Sequence, residues 1–236
     1  MLELYGELLS ELAGILEPHG KALVEYDGAA AWDNDEKQVI LGDEAVLELG
    51  GAGLPAVSMV LCVSCGDMGD APVRLYGQDL GSLCHAGKGV VNVPYARISI
   101  VGIDPAFLQE EFKLYQLIRS IEYVRYHVSP VGYMPRISTM RGREQVRVSR
   151  AAVTGGLDLG IVGSVYNGAY CAHPAVEWAK TTFVTLAGAD FAGLKGIADR
   201  AEAYVMSLDH PLNNLNMDCG SCNLKVVCDE AEKLCR

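Results

Sequence analysis

The sequence predicts an α+β protein: a mixed sheet packed by helices, followed by a short C-terminal cysteine-rich segment. Three observations predict it. Leucines fall four apart at the start of the chain. Short β-branched runs recur without the strict strand–helix alternation of a doubly wound fold. Four of the eight cysteines crowd into MDCGSCNLKVVCDEAEKLCR, residues 217–236.

Leu4, Leu8, Leu12 and Leu16, with Leu9 and Ile15 beside them, make an amphipathic helix that Pro18 and Gly20 end. KALVEYD at 21–27 and QVILGDEAVLEL at 38–49 read as strands, the second interrupted by a Gly-Asp turn signal. AVSMVLCVSC at 56–65 and RISIVGI at 97–103 read as buried strands. Asp104 caps a helix with Pro105 at its first position and an apolar face of Phe107, Leu114, Ile118, Ile121 and Val124. A loop around Pro130 and Pro135 follows, then a strand at 146–149 and a helix near 157–171. TTFVTL at 181–186 reads as a strand and 191–208 as a long helix, with the cysteine tail after Pro211.

Half of the 236 residues are apolar and 21% are charged, the profile of an ordinary globular chain able to bury a core without staples. A net charge of −11 argues against nucleic acid as a partner. The N-terminal stretch has no basic region of the signal-peptide kind, and no apolar run reaches the roughly 20 residues that span a bilayer. The expectation is a cytoplasmic protein, with no membrane partner and with reduced thiols.

Cys219, Cys222, Cys228 and Cys235 are spaced C-x2-C-x5-C-x6-C. A C-x2-C turn, loosened by Gly220, lets two sulfurs converge on one metal, and two further thiolates complete four-fold coordination. Structural zinc more often shows two C-x2-C knuckles, whereas one knuckle with two dispersed thiols suits a 4Fe–4S cluster. A zinc site, a disulfide pair and uncoordinated thiols are the alternatives. A cluster in so short a segment is partly exposed, which suits electron exchange.

Seven arginines, Arg119, Arg125, Arg136, Arg141, Arg143, Arg147 and Arg150, occupy one stretch with no lysine and only Glu122 and Glu144 against them. Guanidinium groups grip phosphate and carboxylate through paired hydrogen bonds. The stretch reads either as a pocket or docking patch for a phosphorylated ligand or an acidic, ferredoxin-like redox protein, or as arginines paired with the chain's own 30 carboxylates. Cys62 and Cys65 form a second C-x2-C, read as buried structural cysteines because strand alternation sends such side chains to opposite faces. Cys84 with His85, and Cys171 with His173, are weak ligand patterns. The glycine-rich stretches match no nucleotide loop, and no nucleophile or metalloprotease motif is present.

Several stretches together resemble the acetyl-CoA synthase (beta) subunit of the carbon monoxide dehydrogenase/acetyl-CoA synthase complex. REQVRVSRAAVTGGLDLGIVGSVYNGAY is similar to that family's "RVSKDAV-x-KG" segment and the helix after it. ILGDEAVLELGGAGLPAVSMVL resembles its "GDMYVEMGG…PAFELV", and VRLYGQDL its "VIGPD" strand. The resemblance implies an extension over 1–37, a middle-domain-like region over 38–210 and a cluster-binding segment over 211–236. It implies that Cys219, Cys222, Cys228 and Cys235 match the family's 4Fe–4S ligands, at shorter intervals after Cys222. The family holds nickel through a Cys-Gly-Cys, and this sequence contains no C-x-C, so nickel is not expected on this chain. Arg141 and Arg147 match arginines in the family's CoA-binding region, while Arg136 and Gln145 stand where the family has tryptophans.

These readings converge on an iron–sulfur accessory or electron-transfer protein of anaerobic one-carbon or corrinoid metabolism, with no catalytic residue of its own. Two alternatives stand beside it. One is a subunit contributing to carbonyl or acetyl transfer to CoA, with a corrinoid or carbon monoxide dehydrogenase subunit as partner and nickel ligands supplied by that partner. The other is a zinc-bound scaffold.

Overall fold

The structure is a computed structural model and describes residues 2–28, 31–33, 38–64, 71–84, 89–109, 111–137 and 144–212. The leucine repeat forms helix α1 (Leu2–Leu16), and Tyr5, Leu8, Leu12 and Leu16 are its buried face. A 3₁₀ turn, Glu17–Ala22, carries Pro18 at its start and leads into strand β1 (Leu23–Tyr26). The stretch at 38–41 joins no ladder, and strand β2 (Ala45–Leu49) begins only after the Gly-Asp turn.

Strand β3 (Ala56–Ser64) and strand β4 (Val73–Tyr76) follow, then the one-turn helix α2 (Leu80–Cys84). Strand β5 (Val91–Val93) and the nine-residue strand β6 (Tyr95–Ile103) come next. Asp104 caps as expected, its Oδ1 accepting from Ala106 N at 2.9 Å, but the element it starts is a 3₁₀ turn, Pro105–Gln109. Helix α3 (Glu111–His127) begins after it, so Phe107 falls outside the helix and is 38% exposed.

Pro135 sits inside strand β7 (Tyr133–Ile137), not in a loop. That is tolerated because β7 is the outermost strand of its sheet, where a missing N–H costs no ladder bond. Strand β8 (Glu144–Ser149) runs directly into helix α4 (Arg150–Thr154), whose N-cap Ser149 accepts from Ala152 N. Helix α4 was not expected; Gly155 and Gly156 follow it, and helix α5 (Leu159–Cys171), close to the expected 157–171, starts behind the N-cap Asp158. Strand β9 (Val176–Val184) starts earlier than its apolar run suggests, and helix α6 (Phe191–Leu212) closes the described chain.

The strands form two mixed sheets, with helices packed around them. The larger has the order β1-β4-β9-β6-β3, with β4 and β3 parallel to their neighbours β9 and β6, and with β1–β4 and β6–β9 antiparallel. The smaller has the order β5-β2-β8-β7, parallel only between β2 and β5. Helices α1 and α6 pack on β3, and α5 packs on β9 and β4. One apolar core joins all of these, from Leu8 and Leu12 through Leu61, Ile98 and Phe183 to Val162 and Leu194. Arg200 of α6 clasps Glu11 of α1 through both carboxylate oxygens on the outside. Among the described residues no helix is long and apolar enough to cross a membrane.

Helix α5 approaches the large sheet through Gly163, where a Cβ would stand 2.6 Å from Val73 Cγ1 and 3.1 Å from Phe183 Cε2. Both neighbours are fully buried and cannot swing aside. Gly163→Val is therefore expected to lower stability by about 1–3 kcal/mol through overpacking. Denaturant unfolding measures this, and a wild-type midpoint in the variant would refute the close contact.

Candidate functional site

The four-cysteine tail, Cys219, Cys222, Cys228 and Cys235, lies outside the described residues, which end with α6 at Leu212. That helix is fixed at its start, where Asp190 Oδ1 accepts from Gly193 N at 2.9 Å. Leu194, Ile197, Ala198 and Ala201 bury its inner face against α1 and β3. The other cysteines do not gather. Cys62 is 2% exposed in the core, where burial holds its thiol far above the ordinary range. Strand β3 ends at Ser64, and Cys65 and His85 lie outside the described residues. Cys84 ends α2 half-buried and Cys171 ends α5 exposed, and burial pushes both thiols up. His173 uses Nδ1 to accept from Ala175 N. Among the described residues no three His, Cys, Asp or Glu side chains come together as a metal group.

The arginine stretch separates into distinct environments. Arg125 of α3 is 5% exposed and stitches that helix to β3. Its Nε donates to Ser58 Oγ at 3.1 Å, its Nη2 donates to Ser58 O, and its Nη1 pairs with Glu122 at 3.2 Å. Arg147 is paired across the small sheet: its Nε donates to Glu48 Oε1 at 2.7 Å and its Nη1 to Ile40 O at 3.3 Å. Strand β7 and strand β8 form one antiparallel pair, with Arg136 in register with Gln145 and Met134 with Arg147. Arg136 and Arg147 thus belong to one hairpin, and Arg141 and Arg143 fall in its connection, outside the described residues. Arg119 lies exposed on α3 and Arg150 exposed at the start of α4.

The most buried charge in the described structure is one that sequence reading placed in a strand and left there. Arg97 of β6 is 1% exposed and Glu144, the first residue of β8, is 2% exposed. Arg97 Nη2 donates to Glu144 Oε2 at 2.6 Å and to the backbone oxygen of Arg125 at 3.1 Å, and the guanidinium lies 3.9 Å from the centroid of the Tyr166 ring. Burial opposes the charge on Arg97, the Glu144 carboxylate beside it favours that charge, and the guanidinium is held well above its ordinary pKa. Burial also raises the phenols of Tyr95, Tyr133 and Tyr166, so they stay neutral, and the Tyr95 and Tyr133 hydroxyls bond to each other. Arg97 Nε and Nη1 and Glu144 Oε1 find no partner among the described residues. The network thus joins both sheets, α3 and α5. Nothing in the local sequence announces it, since the partners stand 47 residues apart.

A second polar cluster was missed although its signal is local. Asp79 and Asp158 each precede a leucine that opens a helix, the usual N-cap pattern. Asp158 accepts from Ile161 N at 2.7 Å. Asp79 Oδ1 accepts from Leu80 N at 2.6 Å and from Leu159 N at 2.9 Å, and its Oδ2 accepts from the Tyr26 hydroxyl. Tyr26 lies against Gly160, where a Cβ would stand 2.4 Å from its ring. One carboxylate thereby ties β1, α2 and α5 together.

Two predictions follow from these clusters. Arg97→Met leaves the buried Glu144 carboxylate alone and should cost about 3–5 kcal/mol, whereas replacing both partners by apolar residues should cost clearly less. A double-mutant unfolding cycle checks this, and a single variant no worse than the double would show that the pair does not matter. Partial burial raises the Asp158 carboxyl above its ordinary value, the Ile161 N–H lowers it, and neighbouring Asp79 raises it again. Between the ordinary aspartate value and that raised one, the unfolded chain has lost this proton and the folded chain keeps it. The group's contribution to stability therefore falls as pH rises across that window and is flat above it. A carbon-detected NMR titration reads the Asp158 pKa, and titration at or below the usual aspartate range would sink the assignment.

No family model matches this chain, and none of the curated proteins matches it.

Proposed function

We propose that this chain is an iron–sulfur protein whose cluster is a 4Fe–4S centre held by Cys219, Cys222, Cys228 and Cys235. It serves as an accessory or electron-transfer module of anaerobic one-carbon or corrinoid metabolism. The observation that carries the reading is the C-x2-C-x5-C-x6-C spacing, four soft thiolates within 17 residues. The donor set suits the cluster, since four thiolates complete the outer coordination of its irons. When bound, such a cluster supplies one-electron chemistry, and the chain's share of the work is to hold it, set its surroundings and present it to a partner.

The placement of the other thiols supports this reading. Cys62, Cys84 and Cys171 are scattered through β3, α2 and α5 and offer no rival thiol set among the described residues. Helix α6, packed on α1 and β3, precedes the cysteine segment in sequence. The β7–β8 hairpin, with Arg136 and Arg147 on its strands and Arg141 and Arg143 in its connection, is the proposed docking element for an acidic redox partner. Arg147 already serves Glu48, so a phosphate or CoA bound there would have to share that guanidinium.

Anaerobic purification with metal and sulfide analysis tests the cluster. The expected result is a brown protein with about four irons and four sulfides per chain. Cys222→Ser should lower that content and alter the electron paramagnetic resonance of the reduced protein. A colourless protein with one tightly held zinc would overturn the reading in favour of a structural metal. Carbonyl or acetyl transfer that appears only when a nickel-bearing partner is added would place the chain within an acetyl-CoA-synthesising assembly.

A further inference from the structure

Two adjoining cavities share Arg150 and Thr154 of α4. The larger, about 770 Å³, is also lined by Val39, Ile40, Asp43, Glu44 and Ser149. The smaller, about 310 Å³, is lined by Val46, Gly81, Cys84, Arg150, Val153 and Thr154. A cavity of that size lies at the lower end of the range of small-molecule sites. Among the described residues Arg150 is the charged residue of the smaller cavity, and no described carboxylate lines it. In contrast to Arg97, Arg125 and Arg147, Arg150 forms no ion pair among the described residues. Arg150 is exposed and carries no ion pair among the described residues, so its guanidinium is open to an anion that enters the smaller cavity.

The walls stand without any ligand. Arg150 N donates to Glu44 O at 3.0 Å and Ser149 N to Gly132 O at 2.8 Å, which fix the start of α4. Thr154 Oγ1 donates to Arg150 O at 2.9 Å and closes the helix on itself. On the opposite side, α2 is held by the Asp79 cap and by Leu83 N donating to Asp79 O at 3.0 Å. Val46 and Val153 supply apolar surface, and the Cys84 thiol stays neutral because burial raises it more than Arg150 lowers it. Asp43 and Glu44 make the adjoining cavity hostile to negative charge. An anion at Arg150 is thus limited in length and in charge.

We propose that the smaller cavity binds a short-chain monocarboxylate, with its carboxylate on Arg150 and its hydrocarbon tail against Val46 and Val153. The site is separate from the cysteine tail and does not rest on the iron–sulfur reading. Phosphate matches the guanidinium but leaves the valine walls unfilled. A dicarboxylate places its second charge towards Asp43 and Glu44. An alcohol of equal length fills the walls but leaves Arg150 unanswered.

The test is a calorimetric and NMR titration of the full chain with butyrate, alongside 1-butanol, inorganic phosphate and succinate. Butyrate is expected to bind saturably, with each comparison compound at least about tenfold weaker, a difference of about 1.4 kcal/mol. Arg150→Gln, an exposed and fold-neutral change, should weaken butyrate by at least about tenfold. Val153→Phe should abolish binding by filling the cavity, with retained thermal unfolding showing that the fold survives. No saturable binding of butyrate overturns the proposal. So does undiminished binding to Arg150→Gln. Phosphate binding as tightly as butyrate overturns it too, because the valine walls would then select nothing.

Discussion

A single buried ion pair, Arg97 with Glu144, sets the terms for the rest of the structure. It sits where the large sheet, the small sheet, α3 and α5 come together, and both groups are almost wholly withdrawn from water. Such a pair contributes little net stability compared with apolar residues of the same shape, because desolvating two charges consumes most of their attraction. It does penalise every arrangement in which the two fail to meet. A register slip in β8 would carry Glu144 to the other face of its strand and leave Arg97 buried without a counter-ion. The Tyr166 face beneath the guanidinium and the Arg125 carbonyl beside it leave that side chain few other places to go.

Charge placement elsewhere follows the same logic with less at stake. Arg125 is buried but fastens to Ser58 at two atoms and to Glu122, so α3 is located along β3 by side-chain bonds as well as by apolar packing. The Arg147–Glu48 pair lies half-exposed on the outer face of the small sheet and is screened by solvent accordingly. Asp79 takes hydrogen bonds from two helices and a tyrosine, so one carboxylate does the joining that would otherwise need several contacts. Among the described residues the arginines mostly pair with the protein's own carboxylates, which leaves Arg150 as the contrast.

What the sequence revealed was local. The leucine spacing of α1, the Asp-Pro start near residue 104 and the apolar run of β6 are encoded within a dozen neighbours, and each formed an element close to where it was expected. Partners across the fold were not legible. Arg147 lies among arginines in sequence, and its carboxylate comes from β2, 99 residues earlier. The helix near 157–171 was legible, but α4 was not, because five residues are too short to show a helical period and follow a strand without a break. Pro135 argued for a loop until the strand order put β7 at an edge. The cysteine spacing was the clearest chemical signal in the chain and remains the one that carries its proposed function.

The order β1-β4-β9-β6-β3 places the last described strand at the centre of the large sheet. Before β9 is made, β1 with β4 and β3 with β6 are two separate strand pairs with no shared neighbour. Closing the sheet then requires one segment to find both of them at once, across long stretches of chain, and loop closure of that kind slows folding. During synthesis the nascent protein therefore holds two unpaired strand edges exposed until β9, ending at Val184, has emerged, which is when it most needs protection from other chains.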